Sequence, residues 1–224
     1  MKKRVDVRKK ILIANEEYAL KNSRFLAKNK KLCLNMISSP GSGKTTILVR
    51  TITELKDKIK IGVIEGDIQT DIDAERIKAT KAPAVQIETG GSCHLSAAQV
   101  SYALENLPVS SLDLIFIENV GNLICPSAFE LGEWGKIAVL SVTEGDDKPA
   151  KYPAIFSLSK VLLINKIDLL DTGAQVDFNI ERVKADVRKI NKGIEIFSIS
   201  AKTGAGFAMW HNWLEESVKN IRGE

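Results

Sequence analysis

Leu32-Cys33-Leu34-Asn35-Met36-Ile37-Ser38-Ser39-Pro40-Gly41-Ser42-Gly43-Lys44-Thr45-Thr46 is the stretch around which the rest of the 224-residue chain is organised. It opens as an apolar run rich enough for a buried strand and passes into a loop of small residues. In Ile47-Leu48-Val49-Arg50 the apolar residues resume with helical spacing. A strand, a small-residue loop and a helix N-terminus, in that order, make a phosphate-binding loop. Successive backbone N–H groups and the helix end converge on one anion. Lys44 adds a compact positive charge near the β- and γ-phosphates, and the Thr45 hydroxyl reaches a magnesium ion bridging them. Gly41, Ser42, Gly43 and Thr46 complete the cradle. Ser38 departs from the G-x-x-x-x-G-K-[ST] pattern at its first glycine, a position serine can fill if its φ stays negative.

Working outward, strands and helical segments alternate. Apolar strands are expected near residues 59–64, 84–89, 112–117, 136–142, 161–164 and 194–199, with helices near 44–57, 71–79, up to 107, 175–191 and 205–221. This predicts an α/β fold: a mostly parallel sheet of about seven strands with helices on both faces. An amphipathic helix or helix pair over 7–29 lies outside the sheet, with Ile11, Leu12, Ala19, Leu20, Phe25 and Leu26 as its packing side. No repeat, linker or low-complexity tract divides the chain. A single P-loop domain over 1–224 is expected, residues 1–31 forming a basic helical extension.

At 44% hydrophobic and 27% charged, the composition is that of a soluble globular protein with ample core material. No apolar run approaches the roughly 18 residues that span a bilayer, and no signal-peptide hydrophobic region follows the basic start. The expectation is a cytoplasmic protein with no membrane partner. Three cysteines do not make a disulfide framework. Residues 1–31 carry eleven Lys/Arg against three Asp/Glu, a local charge of +8 within a net +4. Without aromatic interleaving this reads as a solvated helix face, and no nucleic-acid partner is expected. Salt-dependent nucleic-acid binding lost on removing the arm would reverse that reading.

A base preference follows from two further loops. Asn165-Lys166-Ile167-Asp168 follows the sixth strand and Ser200-Ala201-Lys202 the seventh. The Asp168 carboxylate can accept from guanine N1–H and the 2-amino group, a donor pair that adenine lacks. Asn165 can tie neighbouring loops, the Lys166 stem can lie over the base, and the Ser200-Ala201-Lys202 segment offers a backbone N–H toward O6. Asp67 and Glu118 are the acidic candidates for the magnesium shell, with Thr45. In Glu118-Asn119-Val120-Gly121 the Gly121 N–H can sense a γ-phosphate. Asn122 stands where a water-positioning glutamine is usual, so GTP hydrolysis is expected to be slow.

Cys93 and His94 are adjacent after the third strand, and Cys125 follows the fourth. Thiolate and imidazole suit Ni²⁺ or Zn²⁺, and three ligands leave coordination open for a metal that is handed on. Spacing alone equally allows two buried cysteines and a histidine at a helix start. Cys33, alternating within the first strand, reads as core, and His211 as a surface or packing residue.

The blocks S-S-P-G-S-G-K-T-T, I-E-G-D-I-Q-T-D, E-T-G-G-S-C-H-L, F-I-E-N-V-G-N-L-I-C-P, S-V-T-E-G-D-D-K-P-x-K-Y-P and N-K-I-D-L-L together resemble the HypB family over about residues 10–215. The resemblance implies a SIMIBI-class GTPase of [NiFe]-hydrogenase maturation that uses GTP/GDP and Mg²⁺ and dimerises with GTP. It also implies a Ni²⁺ or Zn²⁺ site on Cys93, His94 and Cys125 near the dimer face. The implied partners are a HypA-like accessory protein and the hydrogenase large-subunit precursor. The chain has neither the N-terminal cysteine cluster nor the histidine-rich tract of some members. Ala98 and Tyr102 stand where some carry extra histidines, so nickel storage and a dinuclear centre are not expected. The urease accessory family UreG fits less well, because it places proline between cysteine and histidine. A signalling or ribosome-associated GTPase with incidental cysteines is the remaining alternative.

Overall fold

Seven apolar segments pair into one sheet in a computed structural model that describes residues 7–66, 71–170 and 176–224. The strands are β1 (Leu32–Ser38), β2 (Ile61–Glu65), β3 (Ala84–Gln86), β4 (Leu114–Glu118), β5 (Gly135–Ser141), β6 (Ser159–Asn165) and β7 (Glu195–Ser198). Their spatial order is β3-β2-β4-β1-β5-β6-β7, and every described pairing is parallel. The helices are α1 (Val7–Lys28), α2 (Lys44–Leu55), α3 (Asp71–Ala79), α4 (Ala97–Asn106), α5 (Lys148–Lys151), α6 (Pro153–Leu158), α7 (Ile180–Ile190) and α8 (Phe207–Arg222).

Covering helices explain why the inner strands read as continuous apolar runs rather than as alternation. Leu32, Leu34 and Met36 of β1 pack with Ile47 and Leu48 of α2 and with Trp210 and Leu214 of α8. Cys33 faces the opposite way, with Leu26 of α1 and Val100 and Leu104 of α4. Ile37 continues that second face toward α6 and α7, through Phe156, Val183 and Val187. Burial pushes the Cys33 thiol far above its ordinary range, as expected of an inert core cysteine. His211 is likewise buried, its imidazole 3.6 Å from Glu54.

Two expectations need correction, and one feature was not foreseen. β3 ends at Gln86 rather than at residue 89, because β2, its partner among the described strands, ends opposite it: Gln86 pairs with Glu65. One more hydrogen bond, from Ile87 N–H to the Glu65 carbonyl at 2.8 Å, closes the ladder. The short helices α5 and α6, each with a proline in its first turn, were not foreseen. The packing side of α1 is not the all-apolar stripe. Ala19 and Leu26 are buried, but Leu20 and Phe25 are 58% and 40% exposed, and the side chain of Ile11 lies outside the described residues. The buried face is Asn15, Ala19, Asn22 and Leu26. Asn15 donates to the Glu130 carbonyl at 2.7 Å, and Asn22 to the Ala97 and Leu131 carbonyls at 2.8 and 2.9 Å. Paired amides tolerate burial that unpaired ones do not.

Candidate functional site

The chemistry-bearing loops all leave the carboxyl ends of strands, where open parallel sheets bind ligands. At the end of β1, Gly41 and Gly43 adopt φ of +73° and +96°, a turn that aims backbone amides inward. A Cβ on Gly43 would meet Asn165 Nδ2 at 2.5 Å, so glycine is required there twice over. Ser38 keeps out of the positive-φ region, and its hydroxyl accepts from Lys44 Nζ at 3.0 Å. The departure from glycine thus provides a resting place for the loop lysine. Thr46 accepts from Arg76 of α3 at 2.9 Å.

The loops after β6 and β7 are wired to this cradle. Asn165 donates to the Ser42 carbonyl at 2.9 Å and accepts from the Ala201 N–H at 3.0 Å, joining three loops through one amide. Lys166 sits at φ +65° and donates to the Gly41 carbonyl at 2.7 Å. Ser200 donates to Asp168 Oδ1 at 2.5 Å. Gly43, Thr46, Asn165, Lys166, Asp168, Ala201 and Lys202 line a cavity of about 230 Å³. Five of the six residues expected around a base thus line one cavity with Gly43 and Thr46 of the phosphate loop, and Ser200 joins them through Asp168.

At the end of β4, Glu118 is buried and accepts from the Thr45 hydroxyl at 2.7 Å. Two of the three expected magnesium ligands thus touch. Gly121 packs against Pro40 of the phosphate loop, where a Cβ would come within 3.0 Å. Asp67, the other acidic candidate, lies outside the described residues.

Cys93, His94 and Cys125 come together, their ligand atoms all within 4.8 Å of one another. Tetrahedral coordination needs spacings of roughly 3.3–3.8 Å, a small closure from this arrangement. Cys93 is exposed, His94 and Cys125 half-buried. The His94 ring lies 3.8 Å from that of Phe129, and burial holds its pKa below the ordinary value. Gly90 and Gly91, at φ +58° and +88°, turn the chain into the Cys93 loop, and Ser96 caps α4 immediately beyond it.

Sequence reading missed four contributors. Glu144 meets the Ser42 hydroxyl at 2.6 Å. Arg50 donates to the Ala201 and Lys202 carbonyls at 2.8 and 3.0 Å. Asn35 and Asn119 bond each other at 3.2 Å in the core. Only Asn35 left a signal, as a polar residue inside an apolar strand.

A parallel sheet with this lysine-bearing loop at the end of β1, and pocket-lining loops after β6 and β7, defines a P-loop NTPase. The family model for the CobW/HypB/UreG nucleotide-binding domain matches residues 33–198. The hydrogenase maturation factor HypB of Escherichia coli strain K12 is 50% identical over 92% of this chain and 70% of its own length. The crystal structure of HypB from Archaeoglobus fulgidus superimposes with a TM-score of 0.86 at 38% identity, over 92% of this chain and 100% of that one. HypB from Helicobacter pylori, solved in complex with nickel, gives 0.85 at 37%, over 92% and 96%. The chain belongs to the CobW/HypB/UreG family, and within it to the hydrogenase maturation factors HypB.

Proposed function

We propose that this chain, as one P-loop GTPase domain, binds and slowly hydrolyses GTP to control delivery of nickel during [NiFe]-hydrogenase maturation. Gly41, Ser42, Gly43, Lys44, Thr45 and Thr46 hold the phosphates. Asn165, Lys166, Asp168, Ser200, Ala201 and Lys202 read guanine. Thr45, Glu118 and Asp67 take Mg²⁺, and the Gly121 N–H senses the γ-phosphate. Cys93, His94 and Cys125 carry Ni²⁺ or Zn²⁺ as cargo. GTP brings two copies together in the cytoplasm, and the metal passes to a HypA-like accessory protein and on to the hydrogenase large-subunit precursor.

One observation carries the reading. Three thiol and imidazole ligands converge within 4.8 Å, on the segments after β3 and β4, the second of which packs on the phosphate loop through Gly121 and Pro40. The relative from Helicobacter pylori, solved with nickel, supports the choice of metal. Asn122 in place of glutamine supports slow turnover, because no side chain there orients water as glutamine does.

Native mass measurement with Ni²⁺ or Zn²⁺, under GDP and under a non-hydrolysable GTP analogue, tests both halves at once. Stoichiometric metal is expected, with dimer under the analogue. Cys93→Ala and Cys125→Ala should each weaken metal binding more than about 100-fold, beyond the cost of losing a ligand's supporting hydrogen bond. Undiminished metal binding in both variants would remove the delivery role. A monomer in both nucleotide states would remove the dimer.

A further inference from the structure

Two of the three soft ligands lie on the loop after β3, and the third lies on the segment after β4. Besides the His94–Phe129 ring contact, a buried amide staples these segments together. Asn119 follows Glu118 directly, is 1% exposed, and accepts the Leu95 N–H at 3.2 Å through Oδ1. Leu95 is the residue after His94. The same oxygen accepts the Val120 N–H at 2.9 Å, and Nδ2 donates to Asn35 Oδ1 at 3.2 Å. Asn35 donates in turn to Glu133 at 3.0 Å, and the buried Lys136 ammonium lies 3.1 Å from the same carboxylate. The Asn119 amide is therefore fixed in orientation from behind, and its oxygen faces the metal loop.

Leu95 is gripped from two further sides. Its fully buried side chain presses on Gly66, where a Cβ would come within 2.5 Å of it. The Gly66 N–H is donated to the Glu118 carbonyl at 2.8 Å. Two residues on, Ala97 is anchored to α1, accepting from Asn22 and donating its N–H to Asn15, both at 2.8 Å. Leu95 is thus held between the end of β4 and the α1-anchored start of α4, with Cys93 and His94 immediately before it on the loop. Gly90 and Gly91 leave their loop free to turn.

We propose that Asn119 is a positioning residue that transmits the nucleotide state to the metal ligands, its amide holding Leu95 so that movement of Glu118 re-spaces Cys93 and His94 against Cys125. This rests on the GTP-linked delivery reading above. Packing alone would make Asn119 a stabilising residue. Transmission makes it one whose bond to Leu95 changes with the nucleotide.

The test has a wild-type arm and a variant arm. In the wild type, amide exchange at Leu95 and Ni²⁺ affinity are measured under GDP·Mg²⁺ and under a non-hydrolysable GTP analogue with Mg²⁺. Leu95 exchange should differ between the two states, and the affinities should differ by about fivefold or more, the usual floor of site-to-site coupling. In Asn119→Ala the affinity ratio should collapse to within about twofold of unity, while nickel still binds under GDP. A ratio that survives in Asn119→Ala, or Leu95 exchange that is equal in both wild-type states, overturns the proposal and leaves GTP-linked delivery standing. Equal nickel affinities in the wild type overturn both. If the variant does not fold, exchange at Leu95 in the wild type decides.

Discussion

Around Asn165 the protein holds itself: three loops meet on one amide, Lys166 is tied to Gly41, and Arg50 clamps two carbonyls of the Ser200–Lys202 segment from behind. Around Cys93 the holding is sparse. The loop enters through two glycines at positive φ, the thiol is exposed, and among the described residues Asn119 and Phe129 tie it to the stretch at and beyond the end of β4. Both regions sit on the same rim of the same sheet, so the fold alone does not explain the contrast. A pocket whose polar groups are fixed beforehand loses little further freedom when ligand arrives, and so it gains selectivity. Ligands on a loosely held loop can close on an ion and release it again. On the proposed function this is a division of labour, in which rigid parts would recognise the base and movable ones would hold the cargo.

The contrast breaks most readily at Asp168. With one carboxylate oxygen bound to Ser200, the group is oriented before any base arrives. Asp168→Asn puts an amide donor where an acceptor is needed. GTP affinity should then fall about 10³-fold, the order expected when a site built for hydrogen bonding meets the wrong partner. Ni²⁺ affinity of the nucleotide-free protein should stay within about twofold, because the substitution lies in the other region. Isothermal titration with GTP and with Ni²⁺ measures both. A variant that kept guanine selectivity would end the reading of this pocket.

Arg50 tests whether the rigidity itself matters. It touches no expected position of the base, but its guanidinium fork spans the Ala201 and Lys202 carbonyls while one arm pairs with Glu54 at 2.5 Å. Arg50→Ala should free the loop and weaken GTP binding about 10- to 30-fold, of the order of two charge-assisted hydrogen bonds partly replaced by water. Arg50→Lys should recover little, because a single ammonium cannot bridge both carbonyls in the same plane. Full affinity in Arg50→Ala would make the loop's order incidental.

The same contrast sorts what could be read beforehand. Strands, phosphate loop and the Asn165–Asp168 loop were legible because their chemistry lies in residue type and short spacing, whereas Cys93, His94 and Cys125, spread over residues 93–125, read equally well as packing residues until the family resemblance joined them. Asn15, Asn22, Asn119 and Arg50 were not, because each acts on backbone groups that only folding brings near. Asn15 meets Glu130 and Ala97, residues more than eighty positions away. Polar residues at helical spacing read as solvent-facing, so the face of α1 was only partly right: Ala19 and Leu26 are buried as expected, but Asn15 and Asn22 complete the face in place of Leu20 and Phe25. Asn35 was partly legible: an amide among Leu34, Met36 and Ile37 must have a buried partner, but nothing local names Asn119 or Glu133.

The smallest effect is expected at Phe129, and it bears on how loose the metal side is. Its ring lies 3.8 Å from the His94 imidazole at an interplanar angle of 32°. The neighbouring Cys93 thiol lies 3.5 Å from the imidazole Nδ1. Such ring pairs contribute about 0.5–1.5 kcal/mol, so Phe129→Ala should weaken Ni²⁺ binding about 2- to 12-fold. The loss should fall mainly on the dissociation rate, because the ring is freed to turn away only after the ion is seated. Phe129→Leu, which keeps bulk without a ring face, should lie between the two. Stopped-flow chelator competition reads these rates directly. A loss above about 100-fold would mean that His94 is held as rigidly as Asn165, and the contrast between fixed base site and movable metal site would no longer stand.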